Sequence, residues 1–308
     1  MAKSMTKVKI LIPIFEDFSC ISILYRKLKK ILSSYNLSFL VIDDGSYNEL
    51  EIKRELELNP DLEFLTLSQN LGHQRSIAIG LCHLSDSSDF DFVLIMDGDG
   101  EDNPMDAAKL LNYFTENAPN KILFARRDVR SEPTLFKIGY FFYRLIFRIL
   151  TGKNIKFGNF SVVPKKMLGR LIGVPELWNH YASSILYAKI PILEISTERS
   201  GRIHGRPKMN LNSLLLHGFS SIATFYETLL LRLFILFSLI LVITFSGNCF
   251  LTFKFNQNFI ETINPGIFFV ISFLSWLNVG LLLLFKLSLR ATRPCIPKTF
   301  WHHFINKK

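Results

Sequence analysis

The sequence predicts an α/β domain with a mostly parallel, Rossmann-like sheet, followed by two transmembrane helices. Three observations support this prediction. Short apolar runs alternate with amphipathic helical patterns in the first half of the 308 residues. Two long stretches without charge follow near the end. The excess of positive charge lies there too, because residues 229–308 hold 8 Lys and Arg against 1 Asp and Glu, whereas residues 1–228 hold 28 against 25.

The composition excludes several classes of protein. With 49% hydrophobic and 20% charged residues and a mean hydropathy of +0.25, the chain is neither disordered nor typical of a purely soluble domain. The four cysteines, at positions 20, 82, 249 and 295, form no CxxC pair, which excludes a disulfide scaffold and a cysteine-built zinc site. The net charge of +10 is concentrated beside the apolar stretches, as in a membrane anchor. We therefore expect membrane lipids and no nucleic acid as partners.

Five apolar runs rich in β-branched and aromatic residues predict the strands of the sheet. They are Val8–Ile14, Phe39–Asp43, Phe64–Leu67, Phe90–Met96 and Ile122–Ala125. The segments between them have apolar residues at helical spacing: Ile21–Leu32, Glu49–Leu58, Gln74–Leu84 and Ala107–Phe114. Buried strands that alternate with helices form mostly parallel sheets, and ligands bind at the carboxyl ends of such strands. The residues that follow the strands are therefore the candidate functional residues.

Acidic turns follow the second and fourth predicted strands. The first turn is Asp43-Asp44-Gly45-Ser46, and the second begins at Asp97 and holds five carboxylates between residues 97 and 106. Carboxylates this close together repel one another unless a cation lies between them, and oxygen ligands favour Mg²⁺ or Mn²⁺ over zinc. An EF-hand calcium loop is excluded, because Asp102 and Ala108 stand where that loop needs Gly and Glu. A solvated acidic turn without a cation is the alternative.

A third polar loop follows the third predicted strand and runs into a helix. Its backbone amides around Asn70 and Gly72 are placed to face an anion at the helix start, although an ordinary helix cap has the same sequence pattern. We expect no histidine metal site, because His73, His180, His204 and His217 are spread over different elements without HxxxH spacing.

The order of these motifs resembles one family. P-I-F-E-D, D-D-G-S, N-L-G-H-Q and D-G-D-G-E-D-N-P follow the first four strands, and two apolar stretches follow the domain. This arrangement resembles the family-two glycosyltransferases of the GT-A fold, specifically the polyprenyl-phosphate glycosyltransferase branch with the dolichyl-phosphate mannose synthases and undecaprenyl-phosphate glucosyltransferases. The resemblance implies transfer of a hexose from a nucleoside-diphosphate sugar to a polyprenyl phosphate, with Mg²⁺ or Mn²⁺ as cofactor. It also implies a homo-oligomer such as a tetramer.

The resemblance also implies roles for individual residues. The residues expected to bind the nucleotide sugar include two of the polar loop after the third strand. The full set is Pro13, Glu16, Asp43, Asp44, Asn70, Gly72, Asp97, Gly98, Asp99 and Asn159. Those expected at the metal are Asp97, Asp99 and Glu101. The catalytic group is expected to be Asp97 and Asp99, with Arg127, Arg130, Arg202 and Lys208 as the cations that hold phosphates in line.

Three residues depart from the family pattern. Gln69 replaces an Arg, Pro207 replaces a Ser, and Asn159 stands where many relatives have Asp. Asn cannot act as a general base, but a lipid phosphate, with a second pKa of about 6, is largely dianionic at neutral pH and needs none. Our leading hypothesis is therefore an inverting, metal-dependent transfer to a lipid phosphate. The alternatives are a non-phosphate acceptor, such as a diacylglycerol or a saccharide, and an inactive membrane scaffold.

The two uncharged stretches, Leu233–Phe253 and Ile267–Phe285, are each long enough to cross a bilayer as a helix, with buried core helices as the alternative. Basic residues flank both outer ends: Arg232 before the first stretch and Lys286, Arg290, Arg293 and Lys298 after the second. By the positive-inside rule, both ends face the cytoplasm. We therefore predict a two-span protein of the cell (inner) membrane whose catalytic domain and termini are cytoplasmic.

This interpretation divides the chain into four segments. Residues 1–210 form the cytosolic catalytic domain, 211–231 an amphipathic juxtamembrane helix, 232–289 the transmembrane region and 290–308 a basic cytosolic tail. Within the first segment, aromatic residues with interspersed Lys and Arg at about 135–150 predict a helix in the lipid headgroup layer, with core packing or a subunit interface as the alternative. His302 and His303, beside Trp301, are predicted at the headgroup boundary.

Overall fold

The protein divides into two compact units. The computed structural model describes residues 5–46, 48–59, 61–87, 89–117, 120–129, 134–198, 211–254, 265–292 and 296–306. Unit 1 comprises Met1–Arg144, Lys153–Thr224 and Cys295–Lys308. Unit 2 comprises Leu145–Gly152 and Phe225–Pro294.

Unit 1 is built on a mostly parallel sheet, as predicted. In the described residues its strands are β1 (Lys7–Ile14), β2 (Asn36–Asp43), β3 (Leu62–Thr66), β4 (Phe92–Ile95), β5 (Ile122–Val129), β6 (Ser161–Pro164) and β7 (Ile192–Glu198). Their order across the sheet is β3-β2-β1-β4-β6-β5-β7. Strands β1, β2, β3 and β4 pair in parallel, whereas β6 runs antiparallel to both β4 and β5. The carboxyl ends of β1, β2, β3 and β4 therefore meet at one edge of the sheet.

Helices of unit 1 pack against this sheet, and two long helices belong to unit 2. The helices are α1 (Phe18–Ile31), α2 (Glu49–Leu58), α3 (His73–Leu84), α4 (Pro104–Asn117), α5 (Thr134–Thr151), α6 (Lys165–Ile172), α7 (Tyr181–Tyr187), α8 (Leu211–Ala223), α9 (Tyr226–Lys254), α10 (Pro265–Thr292) and α11 (Pro297–Phe300). Gly80 on α3 lies so close to β1 that a Cβ would stand 2.4 Å from Leu11 Cδ1. The missing side chain lets α3 approach the sheet closely, and this fixes where the helix begins, next to the carboxyl ends of the strands.

The last described residues of the chain pair with the edge strand of the sheet. Leu67 and Ile305 form an antiparallel β-bridge. The Ser68 N–H donates to the Phe304 carbonyl at 2.8 Å, and the Asn306 N–H donates to the Thr66 carbonyl at 2.9 Å. Residues 296–306 are therefore bound to unit 1, immediately before the loop that leads to α3.

Trp301, which lies beside the predicted headgroup-boundary residues His302 and His303, is buried, whereas the two histidines are exposed and their placement stays a prediction. The Trp301 side chain is buried in unit 1, with only 3% exposed, and lies edge-on to the His83 ring. Next to it, Trp178 contacts the rings of Phe300 and Phe304, with centroids 4.8 and 5.2 Å away. An aromatic residue beside basic ones is typical of a membrane interface, but it equally suits a docked tail, and the partner residues are distant in sequence.

Unit 2 consists largely of an antiparallel pair of long helices. Trp276 on α10 donates through Nε1 to Ser238 Oγ on α9 at 2.8 Å, and the rings of Phe245 and Phe269 are 5.8 Å apart further along the pair. Within these helices, Tyr226–Gly247 and Ile267–Lys286 have mean hydropathies of 2.6 and 2.3 and are almost entirely unburied. Both are long and apolar enough to cross a membrane. The amphipathic segment predicted at 211–231 is divided, because α8 ends at Ala223 and α9 begins at Tyr226.

Candidate active site

The first acidic turn joins two loops at the carboxyl edge of the sheet. Asp44 is 4% exposed, and its two carboxylate oxygens accept hydrogen bonds from the Leu71 N–H at 2.8 Å and the Gly72 N–H at 2.9 Å. Burial raises the pKa of Asp44, while these two hydrogen bonds oppose the rise. The carboxylate therefore holds the loop after β3 against the end of β2.

Gly45 makes this close approach possible. Its φ is +77°, and a Cβ there would lie 2.6 Å from the Gln69 carbonyl carbon and 2.8 Å from the Asn70 nitrogen. A residue with a side chain would have to adopt an unfavourable left-handed conformation and push the neighbouring backbone away. The turn after β2 and the loop before α3 thus form one unit, which contains the predicted residues Asn70 and Gly72.

Within the described part of the chain, Asp43 uses only one of its carboxylate oxygens in hydrogen bonds. Oδ1 accepts from the N–H and the hydroxyl of Ser46, and Ser46 Oγ accepts from the Glu16 N–H at 2.9 Å, so the turn after β1 joins the same cluster. Asp43 Oδ2 is buried without a hydrogen-bond partner among the described residues, and burial raises the pKa of this carboxyl. A buried acceptor of this kind can take a hydrogen bond from an N–H group of a ligand. Pro13, next to the end of β1, is buried beside Ile42.

The second acidic turn is held by one of its own carboxylates. Asp102 is 2% exposed, and its Oδ2 accepts from the Asp97 N–H at 2.9 Å. Asp99 Oδ1 accepts from the Glu101 N–H at 2.9 Å. Gly98 packs against the end of β1, because a Cβ there would be 2.7 Å from Ile14 Cγ2. The side chains of Asp97, Asp99 and Glu101 remain partly exposed at the edge of the sheet.

The side chain of His73, which the sequence analysis did not assign to the site, contacts the second turn. Its Nε2 lies 3.1 Å from Asp97 Oδ1 and 3.0 Å from Asn159 Nδ2. Burial lowers the pKa of His73, but the carboxylates of Asp97, Asp102 and Asp99 outweigh it and raise the pKa above its usual value. The sequence signal that could have identified His73 is its position at the start of α3, directly after the polar loop. Asn159 is thereby located beside Asp97.

The predicted phosphate-holding cations fall largely outside the described residues. Arg127 lies in β5, where its backbone is in register with Thr197 of β7, but its side chain is not described. Arg130, Arg202 and Lys208 lie outside the described residues altogether. Their roles stay predictions.

The donor set at the second turn suits a hard divalent cation bound together with a phosphate ligand. In the described part of the chain, no group of three or more His, Cys, Asp or Glu side chains forms a metal site on its own. Mg²⁺ and Mn²⁺ at phosphate-transfer sites commonly take one or two protein carboxylates, and the substrate phosphates and water supply the other ligands. Asp97 and Asp99, with Glu101 nearby, provide oxygen ligands of this kind.

Comparisons with known proteins agree with this fold and identify a family. The chain matches the model for glycosyl transferase family 2 over residues 9–172, more than half of its 308 residues. No curated protein matches the sequence. Among solved structures, it is similar to glucosyl-3-phosphoglycerate synthase from Mycobacterium tuberculosis in complex with Mn²⁺, UDP and glucosyl-3-phosphoglycerate, with a TM-score of 0.54 and 13% identity over 73% of this chain and 80% of that one.

The complex of the same synthase with UDP gives a TM-score of 0.52 and 12% identity, over the same shares of the two chains. At these identities the structural likeness establishes the fold, and the family model establishes the membership. The chain therefore belongs to glycosyl transferase family 2 and is a glycosyltransferase with the GT-A fold.

Proposed function

We propose that this glycosyltransferase moves a hexose from a UDP- or GDP-linked sugar to a polyprenyl phosphate at the cytosolic face of the cell membrane, with inversion at the anomeric carbon. The observation that carries the proposal is a helix of unit 1, α8, whose His217 stacks on the buried His180 and whose apolar side chains are exposed. The donor, the acceptor surface and the topology each contribute a separate argument.

The donor argument rests on the two acidic turns. A cation at Asp97 and Asp99 would neutralise the charge that develops on the departing diphosphate. Asp43 Oδ2 provides a buried acceptor for the nucleotide, whereas the N–H groups of Leu71 and Gly72 in the loop after β3 already donate to Asp44. The structurally similar synthase was solved with both Mn²⁺ and UDP, which supports the same type of donor and metal here.

The acceptor argument rests on exposed apolar residues of unit 1. Leu215, Leu216 and Phe219 of α8 are 52%, 69% and 65% exposed, and Phe141 and Phe142 of α5 are 63% and 54% exposed. We call these five residues the apolar platform. Aromatic and aliphatic side chains exposed in this way suit the headgroup layer of a membrane.

The two helices of the apolar platform are bonded to each other within unit 1. Tyr143 Oη lies 2.5 Å from Ser221 Oγ, and a Cβ at Gly218 would lie 3.2 Å from the Tyr143 ring. On α8, His217 stacks against His180 with ring centroids 4.7 Å apart, and burial lowers the pKa of His217. The helix that exposes the apolar platform is therefore packed against the start of α7 within the catalytic unit, which suits an acceptor with an apolar chain and a reactive head.

The proposed chemistry needs no carboxylate base. A phosphate oxygen of the acceptor attacks the anomeric carbon while the bond from that carbon to the diphosphate breaks, so one displacement inverts the configuration. Asn159, which cannot accept a proton, is compatible with a phosphate acceptor and not with a hydroxyl that must be deprotonated. Arg127, Arg130, Arg202 and Lys208 are proposed to hold the phosphates.

The topology argument follows from chain connectivity. Unit 1 contains residues up to Thr224 and again from Cys295, and the second part is hydrogen-bonded to the edge of the sheet beside β3. A chain that leaves one compact unit and returns to it crosses any bilayer an even number of times. Two crossings by α9 and α10, with the catalytic domain and both termini in the cytoplasm, satisfy this requirement and the positive-inside rule.

The test is an assay of the purified full-length protein in lipid nanodiscs with undecaprenyl phosphate, Mn²⁺ and a panel of UDP- and GDP-sugars. We expect one nucleoside diphosphate to be released, with a lipid-extractable product that mild acid hydrolyses. An acid-stable product formed from diacylglycerol or a saccharide would overturn the acceptor. Absence of nucleotide-sugar binding in the presence of Mn²⁺ would overturn the enzymatic role in favour of a scaffold.

A further inference from the structure

Residues 296–306, which we call the tail, extend the edge of the sheet at the point where β3 ends. The tail pairs with the backbone of Thr66 and Ser68 as a short antiparallel strand. On the other side of the same segment, the Leu67 N–H donates to the Asp43 carbonyl at 2.8 Å. The end of β3 therefore lies between the tail and Asp43, whose Oδ2 is the buried acceptor of the first acidic turn.

A second path of contacts leads from the tail to the loop that precedes α3. The Trp178 ring contacts two phenylalanine rings of the tail, and the Arg75 guanidinium lies 5.7 Å from the centroid of the Trp178 ring. Arg75 Nη1 also donates to the Leu71 carbonyl at 3.2 Å. The tail thus supports both ends of the loop, at Ser68 through backbone pairing and at Leu71 through Trp178 and Arg75.

The tail is also anchored at points that do not belong to the loop. Lys298 Nζ donates to the Cys82 carbonyl at 3.0 Å near the end of α3, and it forms an ion pair with Asp86. The Trp301 ring is buried beside His83 on the same helix. These anchors hold the tail along α3, so its last residues are in place to support the loop.

We propose that the tail is a strap that positions the first acidic turn and the loop after β3 for the nucleotide, so that donor affinity depends on the chain segment that follows α10. Asp44 and Gly45 hold the loop from one side, and the tail holds Ser68 from the other. A loop that is already held in place loses less freedom when a ligand binds, and this raises affinity. The inference rests on the proposed function, because that function assigns the first turn to the nucleotide.

The strap has a consequence for how the enzyme is assembled. The tail follows both helices that are proposed to cross the membrane. A chain whose two spans are not inserted as a pair has its tail on the wrong side of the bilayer, and the edge of its donor site is then unsupported. Tight nucleotide binding therefore requires correct insertion of both spans.

Linkage makes the proposal measurable in the wild-type protein. A tail that raises nucleotide affinity must itself be held more tightly when the nucleotide is bound, and by the same factor. In full-length protein in nanodiscs, we expect the nucleoside diphosphate that the assay panel releases, with Mn²⁺, to slow hydrogen exchange of residues 296–306 about fivefold. The Asp99→Asn variant is the control, and its tail exchange should not respond to the nucleotide. Equal exchange with and without bound nucleotide in the wild type would overturn the inference.

A pair of double variants tests the same link from the tail. Phe304→Ala with Asn306→Pro removes the ring that contacts Trp178 and the N–H that pairs with the end of β3. Ile305, with a φ of −86° and a ψ of 133°, already has the extended conformation that a residue before proline adopts. His303→Ala with Asn306→Ala is the matched control, because it changes two exposed side chains and keeps that N–H.

The measurements are hydrogen exchange of the tail, calorimetry with the nucleoside diphosphate and Mn²⁺, and a melting curve. We expect the proline-containing variant to exchange its tail faster and to bind the nucleotide about fivefold more weakly, and the control to match the wild type in both. A tail that only stabilises unit 1 would lower the melting midpoint of the proline-containing variant and leave its nucleotide affinity unchanged, and that result would overturn the inference. Failure of the wild type to bind any nucleoside diphosphate with Mn²⁺ would overturn the proposed function as well, whereas tight binding that does not respond to the tail overturns this inference alone.

Discussion

The two acidic turns at the carboxyl edge of the sheet use the same residue type in different ways. In the first turn, both oxygens of Asp44 accept backbone N–H groups and the side chain is buried. In the second turn, the buried Asp102 carboxylate accepts a hydrogen bond from the Asp97 N–H, while the side chains of Asp97 and Asp99 are partly exposed. The two kinds of aspartate differ in burial: Asp44 and Asp102 are 4% and 2% exposed and hold backbone N–H groups, whereas Asp97 and Asp99 are open to a ligand.

The largest expected effect concerns the exposed carboxylates of the second turn. Asp99→Asn removes a charge that the cation requires, so we expect sugar transfer to fall by about a thousandfold or more while the thermal unfolding midpoint changes little. The measurement is turnover in nanodiscs together with a melting curve. Asp106→Asn, in the first turn of α4, is the control and should retain most of the activity.

The corresponding change in the first turn should act mainly on stability. Asp44→Asn replaces one acceptor oxygen by an NH₂ that faces a backbone N–H, and an unsatisfied buried donor costs about 1–3 kcal/mol. For a unit of this size, each kcal/mol lowers the unfolding midpoint by about 2–4 °C. Thermal unfolding of the variant and of the wild type without nucleotide measures this loss of stability. An unchanged unfolding midpoint would contradict the structural role of Asp44.

The first turn also depends on its backbone conformation at Gly45. Gly45→Ala places a Cβ against the loop backbone at a φ of +77°, which should destabilise the protein by about 1–3 kcal/mol. Gly139→Ala on α5, where a Cβ meets nothing within 4 Å, is the matched control and should be neutral or slightly stabilising. Equal melting midpoints for the two variants would show that the loops are not packed as closely as described.

The smallest expected effect on the site comes from residues 296–306, the tail that is hydrogen-bonded to the edge of the sheet. Trp301→Ala removes the buried ring that holds residues 296–306 against unit 1, and Ser68 then loses its partner Phe304. We expect faster proteolysis of the tail and only a severalfold loss of nucleotide affinity, since the loop is still held by Asp44. The adjacent exposed His302→Ala should change neither, and a tail that is equally protected in both variants would contradict the docking.

Local patterns made most of this architecture predictable. Four predicted helices match α1, α2, α3 and α4 to within three residues, and five strand predictions coincide with β1, β2, β3, β4 and β5. The sequence analysis did not identify β6 and β7; β6 has only four residues and too short a pattern to stand out. It did place the two acidic turns at one edge, because parallel strands bring their carboxyl ends together.

The details that distinguish one side chain from another were not predictable, because they depend on contacts between distant parts of the chain. Gln74 meets Asn159 across 85 residues, and Ser68 meets Phe304 across more than 230. Neither partner has a local pattern that marks it. The burial of Asp44 and the partial exposure of Asp99 are of the same kind, since they depend on how the fold packs each turn against other loops.

The most direct test is calorimetric titration of UDP and GDP into the full-length protein, with and without Mn²⁺. We expect one diphosphate to bind tightly only in the presence of Mn²⁺, Asp44→Asn to keep this dependence on the metal, and Asp99→Asn to lose it. Metal-dependent binding that survives in Asp99→Asn, or that disappears in a folded Asp44→Asn variant alone, would place the cation at the other turn and contradict the assignment.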